Sequence, residues 1–251
     1  MAHKFQVEFR GVSFIRPRHV FLLLLIASIV FNSLLLAGCS AQSSNVLKNI
    51  YLLRIGYNDG VVYSSSDASI VNSDISLALA SLVGDSSMQI RIGYFGICMT
   101  ESTSSSSSWT CSSNATYLAE LLTSDEDSLN LMHLASSFRH AIVFPYLLIV
   151  ATALAFIVFV AILPYPPFLR GLAVAATFLS ALFVLVSVLW QHTASIAGSS
   201  AAVSLANGTV YAGIGKIAII FGWLSFGCLV VTVIGVYYFV AASRFVSEVD
   251  V

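Results

Sequence analysis

The chain has 251 residues, of which 58% are hydrophobic and 9% charged, with a mean hydropathy of +0.91. A soluble domain carries about 25% charged residues, so the deficit points to lipid as the solvent, and a formal net charge of −1 removes the electrostatic case for nucleic-acid binding. Four cysteines are too few for a disulfide scaffold but enough for one staple in an oxidising compartment.

In chain order, residues 1–18 hold Lys4, Arg10, Arg16 and Arg18 and read as a cytoplasmic tail. Residues 19–38 (HVFLLLLIASIVFNSLLLAG) form an uncharged stretch long enough to cross a hydrocarbon core of ~30 Å at ~1.5 Å per helical residue. The stretch ends in LLLAGC, which matches a lipoprotein cleavage box at Cys39. Its apolar run is longer than the about 7 to 15 residues of a signal peptide, so an uncleaved first span is the expectation.

Residues 39–140 read as an extracellular domain. Segments 50–57 (IYLLRIGY) and 88–97 (MQIRIGYFGI) are rich in strand formers, the first closed by Asn58-Asp59-Gly60. Both contain Arg-Ile-Gly-Tyr, which fits either neighbours in one sheet or coincidence. Segment 73–84 (SDISLALASLVG) has the start and stop signals of a helix. Gly93 and Gly96 flank Tyr94-Phe95 and permit close backbone approach beside two large rings.

Cys98 and Cys111 bracket a serine-rich stretch and, if paired, would close a loop worth ~3 kcal/mol on the chain-entropy model. Trp109 returns the chain to an apolar setting, either the domain core or the interfacial belt. Cys39 and Cys228 read as packing residues, Cys39 also as an acylation candidate. Residues 115–138 read as a helix, an acidic break (SDEDS) and a second helix leading into span two. Asp125, Glu126 and Asp127 in that break can bind calcium weakly, although a solvated charge run is the expected reading. His133 and His140 lie two helical turns apart with no suitably spaced third metal ligand.

Three more uncharged spans follow at 141–163, 171–190 and 217–242. The turn at 164–170 carries Arg170 and the tail at 243–251 carries Arg244, so both read as cytoplasmic; 191–216 becomes a second extracellular loop. The acceptors Asn114-Ala-Thr116 and Asn207-Gly-Thr209 fall in the two expected outer segments and agree with that topology as glycosylation sites. Gly215, Ala218, Gly222 and Ser225 form one small-residue stripe on span four, expected to pack within its own bundle rather than in a dimer. No Gly-x-Ser-x-Gly or His-Glu-x-x-His motif occurs, and a non-enzymatic chain without a dedicated cofactor is expected.

The stretch RIGYFGICM…WTCSSNA carries a resemblance through Arg91, Gly93, Tyr94, Phe95, Gly96, Cys98, Trp109, Cys111 and Asn114. It resembles the fungal family of calcium regulators and membrane fusion proteins, the pheromone factor-induced gene family, within the claudin-like four-span superfamily. The resemblance implies an integral membrane fold: a claudin-like four-helix transmembrane bundle with a small β-containing extracellular domain stapled by a Cys98–Cys111 bond between spans one and two. It also implies a multi-pass plasma-membrane protein with cytoplasmic termini, active in low-affinity calcium influx and in membrane and cell fusion during mating.

An accessory or organising role through the outer domain is the leading expectation. The alternatives are a pore-forming calcium channel subunit and a general claudin-like membrane-domain or adhesion organiser. Spans without Asp, Glu, Lys or Arg weigh against a pore within one chain. The expected partners are membrane lipids, a second copy of the chain, and calcium-channel or fusion proteins.

Overall fold

A computed structural model describes residues 17–41, 44–57, 81, 88–100, 109–122, 127, 129–162 and 170–249. The Asn58-Asp59-Gly60 turn, the 73–84 helix apart from Ser81, the serine run, Asp125, Glu126 and most of the 164–170 turn lie outside the described residues, as do the basic residues Lys4, Arg10 and Arg16.

The first helix is α1 (Pro17–Ala37). A short 3-10 turn (Leu47–Asn49) leads to β1 (Leu53–Tyr57), β2 (Gln89–Ile92), β3 (Ile97–Thr100) and β4 (Trp109–Ser112). Then come α2 (Ala115–Glu120), α3 (Leu131–Ala141), α4 (Tyr146–Ile162), α5 (Arg170–Leu205), β5 (Val210–Ile214) and α6 (Lys216–Val249). Among the described residues three helices are long and apolar enough to cross a membrane (His19–Ala37, Gly171–Leu205, Lys216–Tyr238). A fourth span follows if the pair α3 and α4, bent by 51° around Pro145, counts as one. The chain is a membrane protein.

The four long helices form a bundle in which α1 packs on α4 and α6, and α5 on α4 and α6. Small residues set its close approaches. A Cβ on Gly222 would lie 2.8 Å from Val188, and one on Gly235 would strike the Phe21 ring. Hydroxyls bridge where helices meet: Ser28 and Ser225 share a hydrogen bond of 2.8 Å, and Ser180 donates to the Ala151 carbonyl at 2.8 Å. A line of buried polar residues runs down α5 through Thr177, Ser180, Ser187, Gln191 and Ser195.

The strands form one antiparallel sheet in the order β4-β3-β2-β1-β5. The period-2 alternation of side chains divides it into two faces. Leu53, Ile55, Tyr57, Ile90, Ile92, Ile97, Met99 and Val210 project to one face and pack against α2 and α3 through Leu118, Leu131, Met132, Ala135 and Phe138. The opposite face is polar and aromatic.

Three expectations need correction. Segment 88–97 is not one strand, because Gly93 and Gly96 turn it back on itself and the Gly93 N–H donates to the Gly96 carbonyl at 2.8 Å. The helix of the third span does not stop at Trp190, where the expected span ends: α5 continues to Leu205, adding ~22 Å of rod at ~1.5 Å per residue. The segment expected as a second loop, 191–216, is therefore mostly this helical extension. A tight turn with Asn207 and Gly208 at positive φ then leads into β5, which pairs with β1. The helix that opens span four likewise runs past Ala242, to Val249.

Missing side chains join the sheet to the bundle. A Cβ on Gly93 would strike the Gly38 carbonyl, one on Gly96 the Cys39 carbonyl, one on Gly38 the Ile50 carbonyl, and one on Gly215 the Tyr51 carbonyl. The chain touches itself backbone to backbone at the C-terminal end of α1 and the N-terminal end of α6. Gly96→Ala forces backbone to move and should cost at least ~2 kcal/mol of stability, the scale of core overpacking. Gly213→Ala, which meets nothing within 4 Å, should stay within about 0.5 kcal/mol of the parent. Unfolding midpoints of the two purified variants in detergent test the contrast.

Candidate functional site: the polar sheet face and the glycine-aromatic turn

Cys98 and Cys111 are register partners on β3 and β4, with Cα atoms 4.0 Å apart, and they form a disulfide. Cross-strand neighbours without mutual hydrogen bonds stand about 4.5 Å apart, close enough to bridge without moving the backbone. The bond ties edge strand β4 to the sheet. Buried Cys39 packs against it together with Tyr51 and Trp109, so the first residues after α1 tuck beneath the staple.

Cys39 is fully buried, in a left-handed conformation (φ 57°), and its thiol faces the Ile50 carbonyl. Burial pushes the thiol up to about 12, partly offset by Arg91. The acylation candidate is thus a packing residue in the folded chain, out of reach of an acyl donor.

The two Arg-Ile-Gly-Tyr copies are sheet neighbours, with Arg54 directly opposite Arg91 in the β1–β2 register. Both arginines lie on the polar face, in the row Gly213, Arg54, Arg91, Cys98, Cys111. The Trp109 ring stacks on Arg91 at 3.7 Å and the Tyr51 ring lies 5.1 Å away; Tyr211 sits 5.2 Å from Arg54. Such cation–π contacts are worth about 0.5–1 kcal/mol each where exposed and more where desolvated. Gly56 makes room for Tyr211, since a Cβ there would lie 2.7 Å from its hydroxyl.

Arg54 Nη2 donates to Gln89 Oε1 at 2.5 Å and to the Tyr211 hydroxyl at 3.0 Å. Arg91 Nη1 donates to the Lys48 carbonyl and to Asn49 Oδ1, both at 2.9 Å. Burial pulls the Arg91 guanidinium below its ordinary value; Arg54 adds to this and Tyr51 opposes it.

Tyr94 and Phe95 at the tip of the turn go separate ways. Tyr94, 5% exposed, enters the bundle core and donates to Gln191 Oε1 at 3.0 Å. Burial pushes its hydroxyl up to about 12, with a hydrogen bond from Ser187 working against the shift. Phe95, 42% exposed, faces outward, and its carbonyl and that of Ser113 accept from Arg139 Nη1 at 3.4 and 3.0 Å.

Asp127 is the described carboxylate of the acidic break. Asp127 Oδ1 accepts from the Tyr57 hydroxyl at 3.0 Å and the Leu131 N–H at 2.6 Å, and Oδ2 accepts from the Met132 N–H at 2.9 Å. The carboxylate holds the open N–H groups at the start of α3, where the helix dipole favours negative charge. Among the described residues no three of His, Cys, Asp and Glu converge as metal ligands, His133 and His140 included.

Asn114 caps α2, its Oδ1 accepting from the Thr116 N–H at 3.1 Å and the Thr116 hydroxyl at 2.5 Å, and it is exposed. Asn207 occupies the turn after α5, where the Thr209 hydroxyl donates to Ala206 and Thr209 is buried. The small-residue stripe of α6 serves the bundle: Gly215 meets Tyr51, Ala218 is fully buried, Gly222 meets Val188 and Ser225 bonds Ser28.

Sequence reasoning missed Arg54, Gln89, Tyr51, Tyr211, Gly38 and Gln191. The repeated tetrapeptide was the available signal for Arg54. The others are marked only by long-range pairing.

Burial of Cys39 predicts that iodoacetamide at mildly alkaline pH leaves this thiol unmodified in the native protein and labels it after denaturation; peptide mass spectrometry reads the difference. Both raised groups disfavour ionisation in the folded state. Stability should be fully present below the ordinary values of 9.0 for Cys39 and 10.0 for Tyr94 and be lost as pH rises toward about 12. Tyr94→Phe should flatten that alkaline loss in unfolding midpoints followed against pH.

A family model described as Ca2+ regulator and membrane fusion protein Fig1 matches residues 76–242, two thirds of the chain. The match takes in β2, the turn, β3, the disulfide, β4, β5 and the last three long helices, and excludes α1 and β1. No curated protein matches the chain.

Proposed function

The chain belongs to the family of Ca2+ regulators and membrane fusion proteins, and from that premise we propose that it is a plasma-membrane protein of mating fungal cells that supports low-affinity calcium influx and cell fusion as an accessory or organising protein. The sheet and its disulfide face the outside and both termini face the cytoplasm. The arrangement is claudin-like: one four-span bundle carrying a stapled β-domain at one end.

The observation that carries this reading is the division of chemistry between the two halves. The spans 19–37, 146–162, 171–190 and 217–238 contain no Asp, Glu, Lys or Arg. The polar groups they bury are hydroxyls and amides, several of them bonded to neighbouring helices. Ion pathways generally carry ionisable groups or rings of carbonyls. Arginines stacked against aromatic rings lie instead on the sheet, which is fixed to the helix ends by backbone contact. Calcium regulation then works through what the sheet organises around it rather than through a pore in one chain. The basic residues Lys4, Arg10, Arg16 and Arg18 ahead of span one and Arg244 beyond span four, and the acceptors Asn114 and Asn207 on the sheet side, support the orientation.

The double substitution Cys98→Ser/Cys111→Ser, expressed in pheromone-treated cells, tests the role. The expected result is retained delivery to the cell surface with lost calcium uptake and reduced fusion. Full uptake without the staple would remove the sheet from the mechanism. The orientation has its own test. Asn114, exposed and capping α2, should carry a glycan, and Asn114→Gln should abolish one glycosidase-sensitive gel shift. A cytosolic, unmodified Asn114 would reverse the topology.

A further inference from the structure

Arg54 and Arg91 face each other across the β1–β2 ladder, an arrangement of like charges that repels. Among the described residues neither arginine meets a carboxylate; their partners are neutral oxygens and aromatic rings. Nε of each is buried without a partner, and Nη1 of Arg54 and Nη2 of Arg91 make no hydrogen bond among the described residues. Each arginine is thus fixed by one amino group while the other remains unused. Two planar guanidinium groups held side by side in this way form a donor set for a tetrahedral oxyanion.

The position of the pair decides where that oxyanion comes from. Arg91 lies two residues before Gly93, which rests on Gly38 just past the end of α1. The Tyr51 ring beside Arg91 belongs to the residue whose carbonyl meets Gly215, immediately ahead of Lys216 at the start of α6. Two membrane-crossing helices therefore end within a residue or two of the backbone that carries the site. This is the depth of lipid headgroups, where tyrosine and tryptophan concentrate and where basic pockets hold anionic lipids. We infer that Arg54 and Arg91 bind the phosphate of an anionic phospholipid headgroup and so seat the sheet on the bilayer surface. The site works in either leaflet and does not depend on the mating role proposed above.

The test measures unfolding midpoints of the purified full-length protein in detergent at fixed ionic strength. Phosphatidic acid, phosphatidylcholine and inorganic phosphate are titrated in turn. Phosphatidic acid should raise the midpoint saturably and phosphatidylcholine should not. Arg54→Gln should weaken the apparent affinity for phosphatidic acid by about tenfold or more, and Arg54→Lys, which keeps the charge and loses the fork, by less. No shift with phosphatidic acid, or an unchanged affinity in Arg54→Gln, would overturn the site. A shift that inorganic phosphate reproduces at the same concentration would overturn the lipid assignment. If Arg54→Gln does not fold, Arg54→Lys decides alone: weakened binding supports the site and unchanged binding overturns it.

Discussion

Everything outside the bundle depends on backbone meeting backbone where side chains are absent. Gly38, Gly93, Gly96 and Gly215 come from three separate parts of the chain and converge on the ends of α1 and α6. A small sheet has only one apolar face to bury, and here α2 and α3 take it. Its other face cannot be held by hydrophobic packing. Steric fit at the four glycines, Tyr94 inserted between the helices and the disulfide at the edge strand hold it instead. Each of these devices fixes position at little cost in buried apolar area, which suits a domain with a thin core.

The bundle was legible in the sequence because hydropathy is a local property and span lengths follow from helical rise. The strand at 50–57, the first half of the run at 88–97 and the pair of helices around the acidic break were legible for the same reason. The hairpin at Gly93–Gly96 was hidden inside one apolar run, since strand propensity does not say where a run reverses. The extension of α5 past Trp190 was hidden too: QHTASIAGSSAAVSL looks like a loop by hydropathy, but its alanines favour helix and Gly198 gives Phe138 room to pack. Likewise Asp127 reads as an open carboxylate until α3 is placed beneath it.

The turn that carries the family likeness has two distinct jobs. Tyr94 is an anchor, spending its ring in the bundle and its hydroxyl on Gln191, whereas Phe95 stays at the surface beside Arg139. Trp109, which composition alone would have assigned to the domain core or the lipid boundary, covers the Arg91 guanidinium. Adjacent aromatic residues in one motif therefore belong to different environments, and only the tertiary contacts separate them.

Two of the connections between sheet and bundle differ in mechanical character. α5 is a single unbroken helix that passes from the span into the layer of the sheet, while α3 and α4 meet at a 51° bend around Pro145. A continuous hydrogen-bonded rod resists bending, and a proline joint does not. A pull on the sheet from another surface is therefore delivered into the bilayer as tilt of α5, with the α3–α4 joint taking up the change of angle. Among these connections α5 is the stiff arm and the α3–α4 joint the hinge.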